Sequence, residues 1–218
     1  MKNFFFKRSL NILSRLFVCF AFSAILTSCG DGPDSKTEDD ALSYLSGSFA
    51  SQYNEVFKID VSKKTFFNGT SVNGTFVECY AGNEMTVVFD DTDYTSGKIY
   101  FKYTKAFEST STEPESDKDS WTDGSYWTNK SDSSDVKYTK PEDESNYTKT
   151  TYYYRYSTSA PDVGKYYAVA FKELTDSSGS FSGAYLYNGK TSTESLEEAK
   201  STFDSSYFTY YSECTKQQ

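Results

Sequence analysis

The sequence predicts an all-β fold: an antiparallel meander of about eight to ten short strands closed into a barrel, with one α-helix near the C-terminus. Three observations carry this prediction. Apolar and polar residues alternate through many short runs, which is the period of a half-buried strand. Asn68-Gly69, Asn73-Gly74 and Asn188-Gly189 supply the positive φ angles of tight connections. Helical spacing recurs once, through Leu196, Ala199 and Phe203. A sandwich shares this pattern; closure into a barrel has the advantage of removing exposed edges.

Residues 55–61 place Phe57, Ile59 and Val61 on one face, against Lys58 and Asp60 on the other. Residues 75–81 set Val77 beside Cys79, and Met85, Val87 and Phe89 align in the next run. In residues 97–103 the aligned side chains are Ile99, Phe101 and Tyr103, opposite Lys98 and Lys102. Later runs align Tyr152, Tyr154 and Tyr156, then Tyr167, Val169 and Phe171, then Phe181, Tyr185 and Tyr187. Thr191 with Glu194 fits a capping box for the helix. Residues 207–211 read as a last strand with Cys214 just beyond it.

A chain of 218 residues with 20 Tyr, 18 Phe, 2 Trp and no His has room for one ordinary domain. Without His, Ser-His-Asp and Cys-His catalysis and imidazole metal sites are excluded. The balance of 22 basic and 31 acidic residues argues against nucleic acid as a partner. Asp117, Asp119 and Asp123 alternate as in a calcium loop, but Thr128 stands where a bidentate Glu is needed. No catalytic constellation stands out, so the chain reads as non-catalytic, without cofactor or metal.

The first 28 residues read as an export signal. Lys2, Lys7, Arg8 and Arg15 form a basic start, and residues 16–26 an apolar core too short for a membrane span. Its removal leaves 18 basic and 31 acidic residues, with Arg155 the one arginine remaining. Residues 29–45, small, polar and acidic, read as a flexible tether, and 46–218 as the barrel domain. Cys79 and Cys214 are expected to form a disulfide, as two thiols in an exported protein usually do; two separate buried thiols are the alternative. Such a bridge would be worth on the order of 5 kcal/mol.

Residues 108–149 interrupt the domain with eleven acidic residues and much Ser and Thr, and read as largely mobile. Both tryptophans sit there, in SWTDGSYW, which reads as a small hairpin turning at Asp123-Gly124 with Trp121 opposite Tyr126. Trp121, Tyr126 and Trp127 need an apolar partner: the domain's own surface, a ligand cavity beneath them, or another macromolecule.

Leu26-Thr27-Ser28-Cys29 resembles the lipobox of bacterial lipoproteins. That resemblance implies cleavage before Cys29, lipidation of its thiol and amine with chains such as palmitate, and anchoring in the bacterial cell envelope, in either the inner or the outer membrane. Many strands followed by a helix, a last strand and a cysteine resemble lipocalin-like barrels, specifically small spirochaete-type lipoproteins of that kind. Gly47-Ser48-Phe49 stands for the family's Gly-x-Trp. The resemblance implies Arg155 as the basic residue over that ring, and a Cys79–Cys214 bridge from the C-terminal segment to mid-barrel. It also implies a cavity for a small apolar or amphipathic ligand, with Phe57, Ile59, Val87, Phe101, Tyr154, Val169 and Tyr185 as the candidate lining. The alternative is a surface protein, antigen or adhesin, binding a protein partner through exposed Tyr and Trp121, Tyr126 and Trp127.

Overall fold

The computed structural model describes residues 36–217, apart from 73 and 188. The export signal, Cys29 and the tether as far as residue 35 lie outside the described residues. Within the described chain, residues 36–124 and 152–217 form one compact unit and 125–151 a second, small one. The strands run, in chain order, β1 (Gly47–Ser51), β2 (Glu55–Asp60), β3 (Thr65–Val72), β4 (Thr75–Phe89), β5 (Gly97–Thr110), β6 (Thr122–Asn129), β7 (Val136–Lys137), β8 (Tyr147–Ser157), β9 (Tyr166–Lys172), β10 (Ser178–Gly183) and β11 (Ser212–Gln217). Two helices are α1 (Glu38–Leu45) and α2 (Leu196–Thr202).

Eight strands close an antiparallel, lipocalin-like barrel in the order β1-β2-β3-β4-β5-β9-β10-β11 and back to β1. The fold class is the one observed, but Asn68-Gly69 is no turn: it lies inside β3, paired on both sides and without a positive φ. Bulges let the 15-residue β4 bend between two partners. Asn68 faces Tyr80 and Gly69 faces Glu78, leaving Cys79 as the extra residue. Past its pairing with β9, β5 continues and pairs instead with β8, from Ala106↔Ser157 to Thr110↔Tyr153.

Alternation sends Phe49, Phe57, Ile59, Phe66, Ile99, Phe101, Val169, Phe171 and Phe181 into one buried core. Its rings touch across the barrel. Phe57 of β2 stacks on Phe181 of β10 at 5.0 Å, and Phe66 on Phe101 at 4.5 Å. The outer face of β5 and β9 carries a second cluster, where Tyr100, Ala168 and Ala170 receive Ala199 and Phe203 from the α2 segment. The apolar stripe of α2 is thus the expected one, but its cap is Ser195, whose hydroxyl accepts from the Glu198 amide, and not Thr191. None of the helices among the described residues is long and apolar enough to cross a membrane.

Several expectations are corrected. The tether does not run to Leu45: residues 38–45 are helical, with Thr37 and Asp40 in a reciprocal capping box and Ala41 and Leu45 buried. Residues 207–211 are not a strand, because Tyr207 and Phe208 bury against the α2 cluster. The last strand is β11, with Cys214 inside it. Cys79 and Cys214 are free thiols, on strands that do not pair, so there is no disulfide. The insertion is not simply loop: β6 runs extended through Asp123-Gly124, so no hairpin turns there. A Cβ on Gly124 would lie 2.4 Å from the Tyr152 ring, so glycine serves close packing and not a turn.

A polar cup at one end of the barrel

One end of the barrel is shut by α1. Leu45 is fully buried in the core, and Lys216 of β11 donates to the Ser43 and Tyr44 carbonyls at the last turn of the helix, at 3.2 and 2.9 Å. Lys216 crosses the Phe49 ring with its ammonium 5.6 Å from the centroid. Gly47 makes the crossing possible: its φ is +147°, and a Cβ there would meet the Lys216 side chain at 2.6 Å. The basic residue over the Gly-x-Phe ring is therefore Lys216, not Arg155. Arg155 instead ion-pairs with Glu108 at 2.6 Å, donates to the Ser120 hydroxyl at 2.9 Å and stacks 4.4 Å from the Trp121 ring centroid.

Toward the other end, five of the eight strands carry a polar inward residue next to an apolar one. Alternation places Glu55 above Phe57, Asn68 above Phe66, Tyr103 above Phe101, Tyr167 above Val169, and Ser212 beside Cys214. Glu55 accepts from the Asn68 amide at 3.2 Å and from the Ser212 hydroxyl at 2.5 Å, joining β2, β3 and β11 through one carboxylate. Three tyrosine rings pack together beside them. Tyr103 stacks on Tyr167 at 5.1 Å, and Tyr80 meets Tyr167 edge-on at 5.7 Å. The Tyr167 hydroxyl donates to the Ala184 carbonyl at 2.9 Å, passing over Gly183, where a Cβ would sit 2.8 Å from it.

Exposure separates the two layers only in part, since Asn68 and Tyr103 of the polar layer are buried too. Phe57, Phe66, Phe101, Val169 and Phe181 are closed to solvent, whereas Glu55, Tyr80, Tyr167 and Ser212 are each half-buried although they face inward. Water therefore reaches the outer edge of this end, and the polar layer, the cup, lies on a solid aromatic floor. Burial raises the Tyr80, Tyr103 and Tyr167 phenols well above the ordinary tyrosine value, with the Glu55 charge adding to the rise at Tyr80 and Tyr167. Burial, then the same charge, pushes the Cys214 thiol up to about 12. Cys79, next to Tyr156, is raised chiefly by burial. At neutral pH these groups stay protonated.

No family model, curated protein or solved structure matches the chain.

Of the seven candidate lining residues, Phe57, Ile59, Phe101 and Val169 belong to the buried floor, and Val87 packs against it half-buried. Tyr154 and Tyr185 do not join them. Tyr154 lies on the β5–β8 extension, 6.0 Å from the Phe107 ring, and Tyr185 follows the end of β10 and is 53% exposed. The residues missed, Glu55, Asn68, Tyr80 and Ser212, were marked in the sequence only by their place in the alternation. Among the interaction candidates, Trp121 lies under Arg155, Tyr126 packs 6.3 Å from Tyr138, and Trp127 lies under Lys149 at 5.6 Å. Each therefore packs against groups of the chain itself.

In the small unit, β6 pairs with β7 through Trp127↔Lys137 and Thr128↔Val136. Asp135 accepts from the Tyr147 hydroxyl at 2.6 Å and from Asn129 at 3.1 Å, and these bonds hold its carboxyl below the usual range. A shallow recess of about 550 Å³ lies among Asn129, Lys137, Pro141, Asp143 and Tyr147. Among the described residues, no three of Cys, Asp and Glu gather as a metal site requires.

Proposed function

We propose that the protein is exported, anchored in the bacterial cell envelope by lipid on Cys29, and binds a small amphipathic ligand in the cup without catalysing a reaction. The observation that carries the binding reading is the inward-facing yet half-buried set Glu55, Tyr80, Tyr167 and Ser212 above a closed floor. Ligand sites have this character: mostly aromatic walls with a few convergent polar groups. The floor limits the ligand. Rings in contact at 4.5–5.0 Å leave no channel for a long acyl chain below the cup. Support for the anchor is the basic start, apolar core and Leu-x-small-Cys sequence before residue 30.

Native mass spectrometry of the purified protein, followed by side-chain NMR mapping with small-molecule mixtures, tests the binding reading. A co-purified small molecule, or saturable shifts at Asn68, Tyr80 and Tyr167, is the expected result. A ligand-free protein whose cup resonances no mixture moves would remove the binding reading and leave a purely structural barrel. For the anchor, detergent extraction of cells expressing the chain and its Cys29→Ser variant should leave only the variant water-soluble.

A further inference from the structure

The two ends of the barrel differ in chemistry. At the α1 end, the helix and the connections 61–64, 90–96 and 173–177 carry eight acids and two lysines. At the far end, residues 71–75 (SVNGT), 184–189 (AYLYNG) and 205–212 (SSYFTYYS) carry no charge at all. Val72, Val77, Tyr185, Leu186, Tyr187 and Tyr210 stand there 41–80% exposed. Among the described residues, no large apolar side chain of α1 or of the three α1-end connections is exposed to that degree. The Tyr185 amide donates to the Tyr207 carbonyl at 2.8 Å, and the Tyr185 and Tyr210 rings lie 6.5 Å apart. The segment after β10 and the one before β11 therefore form one tyrosine surface.

Such a composition suits the grip of one protein on another. Tyr offers a large, rigid contact with a polar tip at little cost in side-chain entropy, and Ser, Asn and Gly between the rings adapt to a partner's hydrogen bonds. The centres of protein interfaces are likewise rich in Tyr and depleted of charge. The chain enters the barrel at the opposite, acidic end: Lys36 donates to the Tyr94 and Leu174 carbonyls, at 3.1 and 3.2 Å, in two of the α1-end connections. Seven residues, 29–35, separate that point from the lipid on Cys29 and reach at most about 25 Å. The tyrosine surface stands a strand length beyond it, about 25 Å for the eight residues of β3.

We propose that the far end of the barrel is a docking surface for a folded protein, presented away from the membrane and centred on Tyr185, Tyr187 and Tyr210, with Val72 and Val77 on the same end. The orientation rests on the anchor at Cys29; the surface itself does not. The partner's matching patch is uncharged and apolar, with Lys or Arg at its border, because a chain of net charge −9 repels acidic partners. A bilayer fits less well, since the short tether leaves from the opposite end. Nucleic acid finds no Lys or Arg in the three far-end segments.

Site-specific photo-cross-linking in the protein's own host cell tests this. Benzoylphenylalanine replaces Val72 or Tyr210 at the far end of the full chain, or exposed Asp39 or Asp176 at the α1 end. Illumination should give one discrete protein adduct from Val72 and Tyr210 and none from Asp39 or Asp176. Tyr185→Ser combined with Tyr187→Ser should reduce that adduct about tenfold or more. Both rings are exposed, so the thermal midpoint should stay in place. Equal adducts from both ends, an adduct indifferent to the serine pair, or no adduct at any position overturns the docking surface. Cross-links to lipid or polysaccharide in place of protein overturn it too, and assign the far end to that material. Detergent extraction of the Cys29→Ser variant judges the anchor separately: a chain that is water-soluble with Cys29 intact, yet still forms the far-end adduct, loses the anchor and the orientation but keeps the surface.

Discussion

Burial pushes the Cys214 thiol up to about 12, with the charge of Glu55 as second cause, and raises Cys79 in the same direction. The thiolate is the reactive form, so both cysteines should be sluggish nucleophiles. Cys214 is 5% exposed and Cys79 half-buried as the extra residue of a β4 bulge, which orders their reactivity. Iodoacetamide at about pH 8 should label Cys79 slowly and Cys214 more slowly still in the folded protein. After denaturation without reductant, peptide-resolved mass spectrometry should find both fully alkylated. Resistance of either residue until a reductant is added would show that the thiols are bonded, against the structure. Two cysteines in an exported protein are usually bonded, but here both are free thiols, on β4 and β11, which do not pair.

At the scale of elements, α1 and β11 act as one lock. Leu45 seats the helix on the core while Lys216 closes its last turn and covers Phe49. Leu45→Ala should cost roughly 2–5 kcal/mol and lower Tm by about 5–15 °C. Asp39→Ala, exposed on the same helix, should change stability by less than about 0.5 kcal/mol. Equal effects in thermal melts would mean that α1 is not seated through Leu45. This lock was hardly legible in the sequence, because its stripe is only Ala41 and Leu45 in a run of acids, too short to show a helical period. Strand alternation was legible because it is local: Phe57 predicts the sides of Ile59 and Glu55 without knowledge of any partner. Long-range pairings were not. Arg155 was the reasonable choice over Phe49 as the last arginine, yet Lys216 reaches that ring from the far end of the chain. Glu55 lay on the same face as Phe57 and Ile59, but charge at a strand's start is ordinarily solvent-facing, and only closure of the ring turns it inward.

At the scale of the molecule, the barrel interior is rich in aromatics, with a Phe-rich floor and a Tyr-rich rim, which ties its stability to alkaline pH. Burial raises the phenols of Tyr80, Tyr103, Tyr156 and Tyr167 above the ordinary value. In the unfolded chain each would ionise near pH 10. Their folded pKa values are higher, so above about pH 10 the unfolded state binds fewer protons and stability falls as pH rises. The stabilising difference is fully present below the unfolded value and is lost on the way up to the folded ones. Each phenol still protonated in the fold contributes a slope of about 1.4 kcal/mol per pH unit, so four acting together make about 5 kcal/mol per unit. A marginally stable domain cannot survive one or two units of that slope. Phenolate absorbance followed with circular dichroism should therefore show a late set of tyrosines that ionises together with loss of the β signal, in one steep step. Smooth ionisation of every tyrosine near pH 10 with the barrel intact would mean that the rim is open to water down to its phenols, and the cup would then be far deeper than the packing of Tyr80, Tyr103 and Tyr167 allows.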